Sequence, residues 1–325
     1  MILAVLAGAV IRYTGVFHDS FTPPGQIQSQ VHVEQKNAKS KADSGTIEKH
    51  IKESQKTGTE NETPEAKVSH GYAYETLSTE QQTVYDEIYR IIMTHDSKVP
   101  VSTCDEKVLE KAYRSVIADH GGIFWVSGYN YTQYTMGEKT VSIDFSPSYT
   151  VDRDERDSYQ SRIDSVVDSI LKNVDSSWGD YEKAKYVFEY LAGNIEYEMG
   201  TEQNQNIISV FLNKKTVCQG YANATQYLLS LLGIRAVVVT GTAEGDTHAW
   251  NLVQLDGAYY FIDTTWGNSS YNNGESGFGS FINYNYFGVT TAEISKTHQA
   301  DGTLLLPDCT ATADNYYVKE GKYIT

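Results

Sequence analysis

The chain has 325 residues and a formal net charge of −16 at neutral pH. Residues 1–70 carry as many basic as acidic side chains, so the whole acidic excess lies in residues 71–325. Such an acidic folded region repels phosphate backbones, which excludes nucleic acid as an expected partner. The three cysteines exclude a disulfide-rich scaffold, and no apolar run reaches the roughly 18 residues of a complete membrane span.

The first 17 residues form an apolar N-terminal segment. Residues 1–11 are apolar throughout, but as a helix they would extend only ~17 Å, against a bilayer core of about 30 Å. We interpret residues 1–17 as part of a signal or membrane anchor whose beginning has been cut. The alternative is a short apolar terminus that packs on the folded domain. The first interpretation predicts an N-terminal membrane tether and an extracytoplasmic protein, at the cell surface or secreted.

Residues 18–70 have the composition of a disordered linker. From Asp19 to His70 there is no Tyr or Trp, and Phe21 is the single Phe. This stretch has too few large apolar groups to offset the entropy of ordering. All but one of the 25 tyrosines lie at or beyond Tyr72, so the folded part is expected to begin near residue 71.

Residues 71–175 show a mixed pattern that predicts an α+β accessory region. Ser78 and Gln81 form a capping box that opens a helix, a second helix is expected over 105–119, and a third over about 153–174. Alternating apolar residues predict short strands at 123–126, 129–134 and 140–145. No set of side chains in this region points to catalysis.

Residues 176–325 are expected to form the second folded unit. Helices are predicted over 180–195 and 218–232, with a short helical turn over 206–211. Strands are predicted over 234–240, 248–255 and 258–265. Helices followed by an antiparallel sheet indicate an α+β fold.

Cys218 lies where a loop turns into a predicted helix. A thiol at a helix start faces unpaired backbone N–H groups and the positive end of the helix dipole. Both favour the thiolate, which is the nucleophilic form of cysteine, and the same N–H groups can hold the oxyanion of a tetrahedral intermediate. Alone, such a cysteine is more often a buried packing residue.

A predicted hairpin brings a histidine and an aspartate together. Asp256 and Gly257 form a strong two-residue turn signal, which pairs Leu255 with Ala258. In that register His248 and Asp263 are diagonal neighbours on one face, within reach of each other's side chains. The carboxylate would then orient the imidazole and stabilise its charged form. Separately, His248 also fits an ordinary surface position in a strand, and Asp263 fits a strand end where it caps a turn.

The three motifs together resemble the core of the transglutaminase-like superfamily. They are Cys218-Gln219-Gly220-Tyr221-Ala222, His248-Ala249-Trp250-Asn251 and Asp263-Thr264-Thr265-Trp266. The resemblance implies a papain-like fold in which helices pack on an antiparallel sheet. It also implies a Cys-His-Asp triad with Cys218 as nucleophile, His248 as general base and acid, and Asp263 as the orienting residue. The surrounding sequence, including Asn315-Tyr316-Tyr317, resembles bacterial extracytoplasmic members.

The implied reaction is attack on a carboxamide or peptide carbonyl in a protein or cell-wall peptide. A thioester forms, and water or an amine resolves it, so the enzyme is either a peptidase or amidase or an acyltransferase. The alternative is a non-catalytic cell-surface binding module that retains the fold. No cofactor is expected.

Other side chains are assigned less specifically. Trp250, Trp266 and Gln219 are predicted to line the substrate pocket, with core packing as the alternative for the two indoles. Cys104 and Cys309 either pair as a disulfide or remain separate thiols, and neither has the neighbours of a metal site. His298 is placed in a turn without a required role, although that turn lies near the cleft in one interpretation.

Overall fold

Two larger β-sheets, one in each half of the folded part, organise the chain. The computed structural model describes residues 33–37, 49, 69–200, 202–268 and 281–322. The apolar N-terminal segment lies outside these residues, as does the predicted linker apart from residues 33–37, 49, 69 and 70. Within the described ranges, no helix combines the length and apolarity needed to cross a membrane.

The accessory region contains a four-stranded sheet of order β1-β3-β4-β2. Its strands are β1 (Val33–Asn37), β2 (Val99–Val101), β3 (Val126–Met136) and β4 (Lys139–Tyr149). Instead of the three short predicted strands, β3 and β4 form one long hairpin, and residues 123–125 precede it. Register shifts interrupt the pairing near both ends of β3, and such shifts break the alternation that sequence patterns rely on.

One strand lies inside the segment predicted to be a disordered linker. The backbone of β1 pairs in parallel with β3, with Val33 opposite Tyr131. Pairing at a free sheet edge uses main-chain hydrogen bonds and needs few large apolar side chains, so composition gave no signal for it. The linker assignment of residues 18–32, 38–48 and 50–68, which lie outside the described residues, stays a prediction.

The helices of the accessory region agree with the sequence analysis to within a few residues. Ser78 caps α2 in the predicted box with Gln81, and Asp105 caps α3. The bounds are α1 (Tyr72–Glu75), α2 (Thr79–Thr94), α3 (Glu106–Asp119) and α4 (Arg153–Leu171).

The C-terminal half packs helices against an antiparallel five-stranded sheet of order β10-β9-β8-β7-β11. Its two long helices are α5 (Asp180–Asn194) and α6 (Cys218–Leu231), and a π-helical turn spans Ser209–Asn213. A short parallel pair joins β5 (Glu196–Tyr197) to β6 (Lys215–Thr216). The remaining elements are β7 (Ala236–Ala243), β8 (Asp246–Leu255), β9 (Ala258–Ile262), α7 (Thr264–Gly267), β10 (Phe287–Val289), α8 (Thr291–Ile294), β11 (His298–Ala300) and α9 (Tyr316–Lys319).

Packing crosses the predicted boundary between residues 175 and 176. One hydrophobic cluster contains buried side chains of α2, β3 and β4 together with those of α5, α6 and β8. The Gln226 side chain of α6 also reaches the end of α3, where its Oε1 accepts from Gly121 N at 2.7 Å and its Nε2 donates to Asp119 O at 2.5 Å. The accessory region therefore supports the helix that begins at Cys218.

A Gln226→Leu substitution tests this support. It leaves Gly121 N–H and Asp119 C=O buried without that partner, and each such loss costs about 1–3 kcal/mol. We expect the free energy of unfolding in urea to fall by roughly 2–4 kcal/mol. Gln254→Leu, on the half-buried β8 surface, is the matched control and should change it by less than about 1 kcal/mol. Equal losses in the two variants would contradict a specific role for Gln226.

Candidate active site

Cys218 is the first residue of α6, as predicted. Val217 precedes it in an extended conformation and acts as the N-cap, so the thiol lies at the end of the helix where backbone N–H groups have no intrahelical partner. The loop before it is fixed by Thr216, whose Oγ1 donates to Asn204 O at 2.6 Å and accepts from Ser209 Oγ at 2.9 Å. Cys218 is 1% exposed.

The β8–β9 hairpin has the predicted register. Leu255 lies opposite Ala258, and both turn residues, Asp256 and Gly257, have positive φ, as this type of turn requires. The predicted meeting of side chains also occurs: His248 Nε2 lies 2.8 Å from Asp263 Oδ2. His248 is 3% exposed and Asp263 is fully buried.

Asp263 also caps the short helix that follows β9. The strand stops at Ile262, three residues earlier than predicted, and Asp263 caps α7. Its Oδ1 accepts from Thr265 N at 2.9 Å and from Trp266 N at 3.1 Å. With Oδ1 held by the backbone, Oδ2 is directed at His248. The strand-end interpretation of Asp263 is confirmed by these capping contacts, and its catalytic role stays a prediction.

The side chains of Cys218 and His248 interact, and this interaction contributes to the raised pKa of His248. Because His248 Nε2 contacts Asp263, the remaining ring nitrogen, Nδ1, is the one available to the thiol. Burial lowers the pKa of His248, but the charge and hydrogen bond of Asp263 outweigh it, and the net pKa is raised. Burial raises the pKa of Asp263, but the two histidines next to it outweigh that effect and lower it. The site therefore favours an imidazolium held by a carboxylate.

The structure adds His298, which the sequence analysis left without a role. It begins β11, which pairs with β7 so that His298 lies opposite Ala243. Its Nε2 lies 3.1 Å from the same Asp263 Oδ2 that contacts His248. The one sequence signal for it was the turn at residues 296–298, and nothing in the pattern indicated which strand would receive that segment.

The two predicted pocket tryptophans surround these histidines. Trp250 stacks on His248 with ring centroids 6.2 Å apart, and Trp266 lies 5.8 Å from His248 and 4.8 Å from His298. Both indole N–H groups are buried and, among the described residues, have no hydrogen-bond partner. Their role in a substrate pocket remains a prediction, which these two free donors favour.

The Gln219 side chain extends along α6 towards Asn223. Its Nε2 donates to Asn223 Oδ1 at 2.8 Å, one helical turn further on. Its Oε1 is buried without a partner among the described residues. The amide is thus oriented by α6, and a contribution to the substrate pocket stays a prediction.

One ligand-type atom from each of His248, Asp263 and His298 lies within 4.8 Å of the others, which is the spacing of a metal site. Two of these spacings, 2.8 and 3.1 Å, are ordinary hydrogen-bond distances. A metal ion would have to replace both hydrogen bonds and find further ligands. We therefore assign the three side chains to hydrogen bonding.

The other two cysteines are free thiols. Cys104 is exposed and Cys309 is buried. Burial raises the pKa of Cys104, and burial raises the pKa of Cys309 to about 11. Both thiols therefore remain protonated at neutral pH.

A polar groove of about 740 Å³ lies between α3 and the strands of the site. Its lining includes Lys107, Lys111 and Arg114 of α3, with Thr247 and Gln299. Thr247 immediately precedes His248, and Gln299 immediately follows His298. The groove and the site are therefore built on the same two strands, β8 and β11.

Comparison with known proteins identifies the class. Residues 165–264 match the model of a family described as the transglutaminase-like superfamily. The matched segment runs from within α4 to the first residue of α7 and contains Cys218, His248 and Asp263. The predicted resemblance to the transglutaminase-like superfamily is confirmed for this segment, and so is the α+β fold class.

Individual relatives are distant. The kyphoscoliosis peptidases of Homo sapiens and Mus musculus are each 25% identical over 159 residues, which is 44% of this chain and 24% of the relative. The chain thus spans about a quarter of the length of these relatives. A crystal structure of a TGase is 15% identical and covers 47% of this chain and 46% of that chain, with a TM-score of 0.32. The periplasmic domain of TgpA from Pseudomonas aeruginosa is 16% identical. The match covers 42% of this chain and 58% of that chain, with a TM-score of 0.28.

Proposed function

We propose that this chain is a cysteine enzyme that cleaves or transfers amide bonds in a protein or peptide. The observation that carries the proposal is His248 Nε2 at 2.8 Å from Asp263 Oδ2, with the Cys218 side chain, at a helix start, acting on the same imidazole. A nucleophile, a base and an orienting carboxylate in hydrogen-bond contact are the parts that acyl transfer through a thioester needs.

The first half-reaction forms the acyl-enzyme. The Cys218 sulfur attacks the carbonyl carbon, and the electron pair of the C=O bond moves onto oxygen. The backbone N–H groups at the start of α6 stabilise that oxyanion. When the tetrahedral intermediate collapses, the C–N bond breaks and His248 Nδ1–H gives its proton to the departing amine. A thioester remains on Cys218.

The second half-reaction releases the acyl group. Water or an amine loses a proton to His248 as it attacks the thioester carbonyl, and the C–S bond breaks to restore the Cys218–His248 pair. With water the product is a carboxylic acid, and with an amine it is a new amide. Asp263 holds the ring in place through both steps and remains ionised.

We extend the proposal to substrate and location. Protein or peptide substrates follow from the transglutaminase-like core. The apolar residues 1–17 and the polar segment behind them favour a tethered or secreted protein, for which cell-wall peptides are the accessible amides. Finding the native chain wholly in the cytosol would contradict this extension and leave the chemistry untouched.

Alkylation by iodoacetamide at neutral pH tests the chemistry. The thiolate is the reactive form, and burial raises the pKa of both Cys104 and Cys309. We expect Cys218 to be alkylated at least about tenfold faster than either of them, as measured by peptide mass spectrometry over time. Slower or equal labelling of Cys218 would count against a catalytic thiolate.

A Cys218→Ala chain and a Cys104→Ser chain are the paired controls. The first should lose the fast phase of labelling and all amide turnover while keeping its far-UV and near-UV circular dichroism. The Cys104→Ser chain should keep both the fast phase of labelling and the amide turnover. If Cys218→Ala retained the full biological effect of the wild-type chain, the non-catalytic binding module would be the correct description.

A further inference from the structure

Two histidines converge on one oxygen of Asp263. His248 Nε2 and His298 Nε2 lie 2.8 and 3.1 Å from Oδ2, and their rings are 5.3 Å apart in an edge-to-face arrangement. The side chains of all three residues are at most 4% exposed. A Cys-His-Asp triad needs only the first of these histidines, so the second requires its own explanation.

The chemistry of the partners fixes which nitrogen of His298 carries a proton. An ionised carboxylate only accepts hydrogen bonds, so His298 Nε2 must be the donor to Oδ2. On the other side of the ring, Thr297 Oγ1 lies 2.8 Å from His298 Nδ1. The proton on Nε2 is required whichever of these two groups donates in the second contact.

The contacts of His298 lead back to Asp263 through Thr297 and Tyr286. Burial raises the pKa of Tyr286 and the neighbouring Thr297 hydroxyl lowers it, and the Tyr286 carbonyl accepts from Asp263 N at 2.9 Å. Thr297 is itself held, since its carbonyl accepts from Glu244 N at 2.8 Å. Three segments, at 286, 297–298 and 263, thus fix one another around the carboxylate.

We propose that His298 is a positioning residue of the active site: it donates to Asp263 Oδ2 and fixes the carboxylate in the orientation that His248 needs. The inference rests on the proposed function, because positioning has meaning only if His248 acts on Cys218. His298 acts through Asp263 and is not itself assigned a contact with substrate.

Because His248 and His298 share Asp263 Oδ2, the hydrogen bond from His298 also affects how strongly this oxygen binds His248. A donor from His298 withdraws electron density from Oδ2, which makes that oxygen a weaker acceptor for His248. If this donor is removed, the imidazolium of His248 is held more strongly and keeps its proton to higher pH. The titratable groups around the cluster are Cys218, His248, Asp263 and Tyr286, and Glu244 acts on Tyr286 through its charge.

Two substitutions separate the hydrogen bond from the volume of the ring. His298→Leu fills a similar space without a donor, whereas His298→Gln keeps an N–H near the position of Nε2. We expect the titration midpoint of His248 to rise by about one pH unit in the Leu variant and to stay near the wild-type value in the Gln variant. The measurement is NMR of the full chain labelled with ¹⁵N-histidine, with near-UV circular dichroism as the control of folding.

The same spectra test the wild-type chain directly. At neutral pH His298 should give the signature of a ring that carries a proton on Nε2. A ring protonated only at Nδ1 would overturn the inference even if neither variant folds, and so would an unchanged His248 midpoint in a folded Leu variant. A stoichiometric metal ion in the purified chain, with loss of both ring N–H signals, would make His298 a ligand instead.

Failure of the proposed function gives a different pattern. In that case Cys218 shows no preferential alkylation in the wild-type chain, whatever the histidine spectra show. With the function intact, the Leu variant should slow Cys218-dependent amide turnover by about tenfold, and the Gln variant should restore most of it. Equal turnover in all three chains would contradict a positioning role.

Discussion

An Asp263→Asn chain is expected to lose nearly all Cys218-dependent amide turnover, by about 10⁴-fold if the carboxylate acts as the aspartate of a serine protease triad does. The side chain cannot satisfy its four donors after this change. If the amide oxygen faces His248 and His298, the NH₂ group faces the N–H groups of Thr265 and Trp266. If the amide is reversed, the NH₂ group faces the two imidazoles.

The measurement is the rate of turnover together with the rate of Cys218 alkylation at neutral pH. Asp314→Asn is the matched control, because Asp314 is buried and lies 2.8 Å from Lys319 but outside the matched segment. We expect the control to be destabilised without slower alkylation of Cys218. Turnover within about tenfold of wild type in Asp263→Asn would remove Asp263 from the mechanism.

The pH dependence of stability has a defined sign in this comparison. The folded chain lowers the pKa of Asp263 below its reference of 3.8, so its stabilisation is present above that pH and is lost in acid. It raises the pKa of His248 above 6.5, so that stabilisation is present below 6.5 and is lost in base. The difference in Tm between wild type and Asp263→Asn should therefore be largest between about pH 4 and 6.5.

A Gly220→Ala chain is expected to lose stability and the selective reactivity of Cys218. A Cβ at this position would overlap Thr216 Oγ1 and lie 3.1 Å from Asn204 O. Those two groups form the hydrogen bond that fixes the loop before Cys218. Overpacking of this kind costs roughly 1–3 kcal/mol and more where backbone must move.

Gly193→Ala provides the comparison, since Gly193 is also a helical glycine and its Cβ would come no closer than 3.9 Å to Ile282. That change should leave stability equal or raise it by up to about 1 kcal/mol. Urea unfolding and the ratio of Cys218 to Cys104 alkylation measure both effects. A Gly220→Ala chain as stable and as selectively labelled as wild type would show that the loop yields more easily than its contacts indicate.

The parts of the site that sequence could predict are those set by local rules. The Asp256-Gly257 turn determined the hairpin register, and the register brought His248 to Asp263. The helix start at Cys218 was likewise a local signal. The place of His298 in the site could not be predicted from the sequence. Its strand, β11, pairs with β7 across more than fifty residues, and no local pattern encodes that partner.

The fold shows the same division between local and distant effects. The starts of helices α2 and α3 were predicted nearly to the residue. Each helix begins directly after its N-cap residue, Ser78 or Asp105. The long β3–β4 hairpin was divided into shorter strands, since its register shifts interrupt the alternation. The parallel β1 was missed because its pairing depends on the free edge of β3 rather than on its own composition.

The packing of indole rings on the two histidines has an optical consequence. Two of the four tryptophans, Trp250 and Trp266, lie within about 6 Å of an imidazole in the site. Indole fluorescence is quenched by a neighbouring imidazolium far more than by a neutral imidazole. The intrinsic emission of this chain therefore reports the charge on these imidazoles and can be measured without a dye or a known substrate.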